Sequence, residues 1–398
     1  MRGRIPRIPA SLGLAVIVAT CSSVTEVTTA ELTSVVERDG VAFTGQAIPD
    51  PVLDRLAANR VVLLGETHHL REHYEFVAAL LRALHARGFR QLLVEWPHMA
   101  DWLLEDYVSR GQIAPNWEPP LSLGQPMFAA IREFNDTLSA ADRVHVRAID
   151  VNLDEYGGAP SFRDLMGVVG RFLPTAGPIT AFLAADYGSS AAQTQAIESL
   201  QASLAADQTT LTAAWGAAWY DTVVEMAEIE RVSIGIRAIR DTDYDRSVRM
   251  REDVIKQLAD TRIGAPPGRT VINIGSTHAQ KKRFRGTELE WLGDYLVHRS
   301  AVVDGSIIVV AVGAAKVELE PGAGGTPYDI LDTSPANELF RVMIETWPGQ
   351  TVFLPFGDPV FADVGVPMNF EETIYVVAPR THYDGVLQFA LAHRVPDE

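Results

Sequence analysis

Residues 60–75 read RVVLLGETHHLREHYE, and the change of periodicity inside this run decides the fold. Arg60 to Gly65 is a continuous apolar stretch closed by glycine, the pattern of a strand covered on both faces. Beyond it Tyr74, Val77, Leu81 and Leu84 recur at helical spacing as far as Gly88, and Gln91 to Val94 begins a second short apolar strand. Strand, helix and strand within about 35 residues make a βαβ unit, with parallel strands and a right-handed crossover. The same style returns at Val144 to Ile149, Thr270 to Ile274, Ser306 to Val312 and Thr373 to Val377. The chain therefore reads as α/β, with a mostly parallel central sheet and helices on both faces. An Ala-rich stretch, roughly residues 160 to 260, carries Trp215, Trp219, Met226 and Ile229 at helical intervals and reads as a helical insertion that caps the sheet. Residues 321–365, rich in Gly and Pro, read as loops around one amphipathic helix near Ala336 to Thr346.

With 398 residues, 47% of them hydrophobic, residues 51–398 suffice for a single α/β domain with a large core. A net charge of −17 excludes a nucleic-acid surface, which needs a basic stripe. The longest basic cluster, Lys281, Lys282, Arg283 and Arg285, follows a candidate site histidine and could draw in an anionic substrate, although a solvated helix start explains it as well. At the other end, Arg2, Arg4 and Arg7 precede an apolar core from Leu12 to Ala19 that is too short to span a bilayer. Residues 1–21 read as a signal peptide. The sole cysteine, Cys21, stands where such a leader is cut, so a lipid anchor on Cys21 and simple secretion both stay open. The expected location is outside the cytoplasm, in the cell envelope, as an outer-membrane lipoprotein if Cys21 is modified. Residues 22–50 read as a tether with a lead-in loop.

Polar residues of catalytic type follow four of the apolar runs at once: Glu66, His68 and His69; Glu95; Asp150 and Asn152; Ser276 and His278. Ligands of an open parallel sheet bind beyond the carboxyl ends of the strands, so these residues are expected to meet in one crevice. Taken singly each has an ordinary explanation, such as a helix cap for Glu66 or Asp150, a satisfied buried histidine for His68, or an Arg pair for Glu95. Four such coincidences at one edge favour a site. His69 and His73 are four residues apart, which is metal-ligand spacing, but no glutamate stands between them at the position a zincin requires, and a solvated face is expected for His73. No G-x-S-x-G is present and the one Cys lies in the leader, so no serine or cysteine nucleophile stands out.

The run from Val61 to Gly111, with GETHH, an EH pair, GFRQLLVEWP and YVSRG, resembles the superfamily of erythromycin esterases, ChaN and Tiki proteins. GSTHA at 275–279, followed by WLGDYL, is similar to its second histidine motif. The likeness covers residues 50 to 300 well and the remainder loosely. It implies a metal-dependent Tiki-type site on His68, Glu95 and His278, or a ChaN-type haem-binding lipoprotein that uses Tyr74 or His69. Only Thr67 separates Glu66 from His68, where the esterases usually place two residues, a spacing closer to the Tiki and ChaN branches. The esterases' Arg-Asp-x-x-Met signature is answered by Arg246 to Met250, with Ser247 in place of the Asp. That makes Arg246 a candidate clamp for a substrate carboxylate or phosphate, although a surface arginine on a charged helix explains it equally well.

These readings point first to a hydrolase of ester or peptide bonds acting on a small-molecule or peptide substrate. One of His68 and His278 would be a general base, or both would bind manganese, cobalt, iron or zinc, with Glu66 or Glu95 orienting an imidazole or completing the ligand set. His69, Asp150 and Arg246 are the candidate substrate contacts. A surface lipoprotein that holds haem or iron is the alternative. For the leader, mass spectrometry of the membrane fraction should find a chain that lacks residues 1 to about 21, with any anchor on Cys21. An unmodified chain beginning at Met1 would refute it.

Overall fold

Alternation along each apolar run sends neighbouring side chains to opposite faces, so a strand covered on both sides serves two cores. The computed structural model describes residues 27–121, 124–153, 161–265, 268–283, 289–329, 338–362, 366–370 and 373–396. The leader and Cys21 lie outside the described residues. The strands among them are β1 (Val41–Phe43), β2 (Val61–Glu66), β3 (Phe89–Pro97), β4 (His145–Asp150), β5 (Arg269–Gly275), β6 (Ile307–Ala314), β7 (Lys316–Leu319) and β8 (Tyr328–Asp329). They continue with β9 (Thr351–Pro355), β10 (Val366–Phe370), β11 (Thr373–Val377), β12 (Gly385–Phe389) and β13 (Ala392–Arg394).

Eight of these form the central sheet, in the order β1-β9-β12-β6-β2-β5-β3-β4. From β12 to β4 every neighbouring pair is parallel, while β9 and β1 are antiparallel additions at one edge. The expected α/β class with a mostly parallel sheet holds. On β2, Val62 and Leu64 face one core, which includes Val77, Leu81 and Leu84 of the helix Arg71–His85. Val61 and Leu63 face a second core, built with Ile255, Leu258 and Ala259 of the helix Tyr244–Gly264 and Leu296 of the helix Leu292–His298. Helices therefore cover both faces. The expected insertion consists of the helices Phe162–Phe172, Gly177–Ala184, Ser190–Ala206, Gln208–Trp215 and Ala217–Ile239, followed by Tyr244–Gly264.

Three expectations are corrected. The stretch read as a tether holds the helix Thr29–Asp39 and the edge strand β1; Thr28 and Glu31 form a capping box, and Leu32, Val35 and Val36 bury against a core shared with Leu339, Val342 and Met343. The stretch read as loops with one helix has the helix, Glu338–Thr346, but also supplies β9 to the central sheet. The strand Thr373–Val377 exists, but it pairs with β10 in a separate hairpin and takes no part in the central sheet. The strands of the first βαβ unit are parallel as expected, but β5 lies between β2 and β3, because a crossover fixes direction and not adjacency. Among the described residues no helix is long and apolar enough to cross a membrane.

Candidate active site

The four strands β2, β5, β3 and β4 are neighbours and run the same way, so their carboxyl ends line one edge. Glu66 is the last residue of β2 and is buried. One of its oxygens bonds His68 Nδ1 at 2.9 Å; the other receives Asn273 Nδ2 of β5 at 2.5 Å and lies 3.1 Å from His73 Nε2. His73 Nε2 also bonds Asn273 Oδ1 at 2.6 Å. His73 is wholly buried, so the expected solvated position is corrected: it helps to hold Glu66. Burial alone would raise the Glu66 pKa, but its bonds and charge contacts with His68 and His73 bring it down to about 2.

Glu95 is the hub. The register of β3 against β4 shifts between Val94 and Pro97, and Glu95 sits within this irregularity at the sheet edge. Its Oε2 accepts the Gly275 amide at 2.6 Å, where a strand partner would otherwise sit, and lies 3.9 Å from His68 Nε2. Its Oε1 accepts Arg251 Nη2 at 2.5 Å and lies 3.3 Å from His278 Nε2. Although burial raises a carboxyl pKa, the neighbouring His278, His68 and Arg251 hold Glu95 well below the ordinary range. Arg251 bridges to Asp150 at the end of β4, with Nε on Oδ1 at 2.8 Å and Nη2 on Oδ2 at 2.7 Å. The expected meeting of Glu66, His68, Glu95, Asp150 and His278 is thus what the structure shows.

Each histidine is held through Nδ1 by its own carboxylate and turns Nε2 toward Glu95. His278 Nδ1 bonds Glu252, a fully buried glutamate of the helix Tyr244–Gly264 whose other oxygen accepts the Leu292 amide at 3.0 Å. Trp291 stands edge-on to the His278 ring at 5.3 Å. Burial pulls the His278 pKa down, but the charges of Glu252 and Glu95 raise it to about 10. His68 differs in access, with half of its side-chain surface exposed. Desolvation within the crevice works against its proton, yet the bond to Glu66 and the charge of Glu95 raise its pKa to about 9.

Sequence reasoning missed Arg251 and Glu252. It chose Arg246, which the structure places exposed on the first turn of that helix, with its backbone amide bonded to the Asp243 cap. Arg251 and Glu252 share the inward stripe of Val254, Ile255, Leu258 and Ala259, a helical spacing that would have singled them out. His69 is half-buried beside the site in a left-handed backbone conformation, φ 65°. The Tyr74 phenol is buried, and its oxygen accepts the His69 amide at 3.2 Å. Asn152 fastens the insertion, bonding Ser233 and Glu230. The donor set does not fit a metal: Arg251 already occupies the shared Glu95 carboxylate, and no group of three or more His, Cys, Asp or Glu among the described residues is arranged as a metal centre.

Neither a family model nor a curated protein sequence matches this chain. Solved structures do. A mutant erythromycin esterase in its open conformation superimposes with a TM-score of 0.63 at 16% identity, over 87% of this chain and 94% of that one. The chain has the fold of an erythromycin esterase. A protein from Bacillus cereus follows with a TM-score of 0.66 at 14% identity, over 92% and 98% of the two chains. A protein named for succinoglycan biosynthesis matches with 0.67 at 13% identity, over 92% and 97%.

Gly275 offers a test of this geometry. A Cβ there would come within 2.8 Å of His68 Nε2 and 3.1 Å of Glu95 Oε2, while its backbone is of an ordinary kind. Because His68 can swing away, Gly275→Ala should cost little stability, yet it should displace the imidazole from Glu95 and lower any activity by about 10²-fold, the scale of a 1 Å misplacement. Full activity in a folded Gly275→Ala protein would refute the role given to this contact.

Proposed function

We propose that the protein is a hydrolase in which His68 activates water against an ester, lactone or peptide carbonyl without a metal. The observation that carries this is the convergence of two carboxylate-held imidazoles on one carboxylate, Glu95. The 3.9 Å between His68 Nε2 and Glu95 Oε2 is too long for a direct hydrogen bond and suits a water between them. In the proposed reaction His68 Nε2 takes a proton from that water, whose oxygen attacks the carbonyl carbon. The C–O or C–N bond then breaks, and His68 returns the proton to the leaving group. His278, kept protonated by Glu252, and the Arg251 guanidinium hold Glu95 ionised beside that water. The erythromycin esterase fold supports ester or lactone chemistry. A signal-directed place in the cell envelope belongs to the same proposal and rests on the leader alone.

His68 is the residue to test, because it is half-exposed and its loss strands no fully buried partner, whereas removing His278 would leave Glu252 buried without a counter-charge. On a panel of nitrophenyl esters, lactones and peptides, His68→Ala should lower kcat/KM by at least ~10²-fold. His85→Ala, on the helix Arg71–His85 and bonded to the Asp142 carbonyl, should leave it unchanged. The raised pKa of His68 fixes the sign of the pH dependence. The neutral base becomes more abundant as pH rises, so the rate should climb about tenfold per unit and level off near 9. A rate that falls between pH 6 and 9, or one abolished by a chelator, would overturn the mechanism.

A further inference from the structure

Beyond the site itself, the C-terminal strand is fastened to the catalytic turn. β13 runs parallel to β7, pairing His393 with Glu318 and Arg394 with Leu319, and the Glu320 amide donates to the Arg394 carbonyl at 3.0 Å. Its other edge meets the turn that follows His68. Leu70 pairs with Arg394 in an antiparallel bridge, and the Val395 amide donates to the His69 carbonyl at 2.9 Å. Glu72, in the first turn of the helix Arg71–His85, accepts the His393 amide at 2.6 Å on one oxygen and bonds His393 Nδ1 at 2.5 Å on the other. Ala392 and Val395 are fully buried in the same core as Leu70 and Tyr74, so the strand is itself immobilised.

The turn needs such support. His69 sits at φ 65°, a conformation that a residue with a Cβ adopts only at a cost of about 1 kcal/mol or more and keeps only where its surroundings over-determine it. Both of its backbone polar groups are tied, the amide to Tyr74 and the carbonyl to Val395. His68 precedes it directly, so the direction in which the His68 ring leaves the backbone depends on this turn.

We propose that β13 is a strap that positions His68, with Glu72 and His393 as positioning residues that act through it. This rests on the hydrolase reading for its effect on rate, but not for its effect on the turn. The two bonds of Glu72 form the side-chain fastening, and both partners are partly exposed, so Glu72→Ala should fold. Amide exchange followed by mass spectrometry should show the 67–71 segment exchanging about tenfold faster in Glu72→Ala, with the central strands unchanged. In the same variant kcat should drop by about tenfold while KM stays within about twofold. Glu72→Gln, which keeps an acceptor for the His393 amide, should recover most of both effects. In a His68→Ala background Glu72→Ala should cost nothing further, because a residue that works through His68 has nothing left to position.

Unchanged exchange of the 67–71 segment would overturn the strap, as would an equal loss of kcat in the His68→Ala background. If Glu72→Ala unfolds, His393→Ala, which loses only the side-chain bond to Glu72, takes its place, with changes of the same direction and smaller size expected. Failure of the unaltered protein to turn over any substrate would count against the hydrolase reading, and the exchange measurement would still decide the strap.

Discussion

Four carboxylates crowd one sheet edge, and the cations that neutralise them determine how the rest of the site is built. Asp150 and Glu252 are fully buried, and the side chains of Glu66 and Glu95 are nearly so. Each would cost several kcal/mol if left charged and unpaired away from water. Arg251 spans Asp150 and Glu95, His278 stands between Glu252 and Glu95, and Glu66 is shared by His68, His73 and Asn273. Glu95 joins the first two of these pairings and lies 3.9 Å from His68 of the third, so the arrangement is one network. The helix Tyr244–Gly264 must bring Arg251 and Glu252 to the edge, which binds the last helix of the insertion region to the chemistry of the sheet.

Much of this was legible from residue patterns. Continuous apolar runs identified five strands of the central sheet, and the rule that sites form at strand carboxyl ends gathered Glu66, His68, Glu95, Asp150 and His278. The strands of the central sheet that escaped notice, β1, β9 and β12, are three to five residues long and lie at or beside the antiparallel edge, where a short strand leaves no periodicity to detect. Arg251, Glu252 and His73 escaped for another reason. On a helix that carries Asp243, Asp245, Arg246, Arg249, Arg251, Glu252 and Asp253, charge does not reveal the inward face; the apolar neighbours do. Arg251, Ile255 and Leu258 fall on one stripe, and so do His73, Val77, Leu80 and Leu84. A polar residue in register with a buried apolar stripe is the stronger signal of a site than a polar residue in a familiar motif.

The two Gly-x-x-His segments begin alike and end in different surroundings. In the first, the residue after glycine is Glu66, which stays at the strand end and takes Nδ1 of the next histidine itself. In the second that place is filled by Ser276, so His278 must find its carboxylate elsewhere and takes Glu252 from a helix. The local pair leaves His68 open to solvent, while the tertiary pair seals His278 beneath Trp291. One imidazole is thereby open to solvent, and the other is shielded from it.

Backbone geometry sets how closely these groups approach. Glu95 accepts the Gly275 amide just beyond Val94, where the pairing of β3 with β5 ends, and His68 can lie over Gly275 only because no Cβ stands there. Gly65 does the same for the second motif, since a Cβ on it would meet Ala279 at 2.9 Å and the Ser276 backbone at 3.1 Å. Each glycine thus makes room for the segment that the other motif contributes, and the two motifs can pack in register only as a pair. The Ser276 amide, donating to the Glu66 carbonyl at 2.9 Å, closes that register with a backbone bond. The spacing of the two imidazoles therefore follows from adjacent strands that each place a glycine against the other's motif, an arrangement in which a single added methyl group would be felt at the His68 imidazole before it was felt in the core.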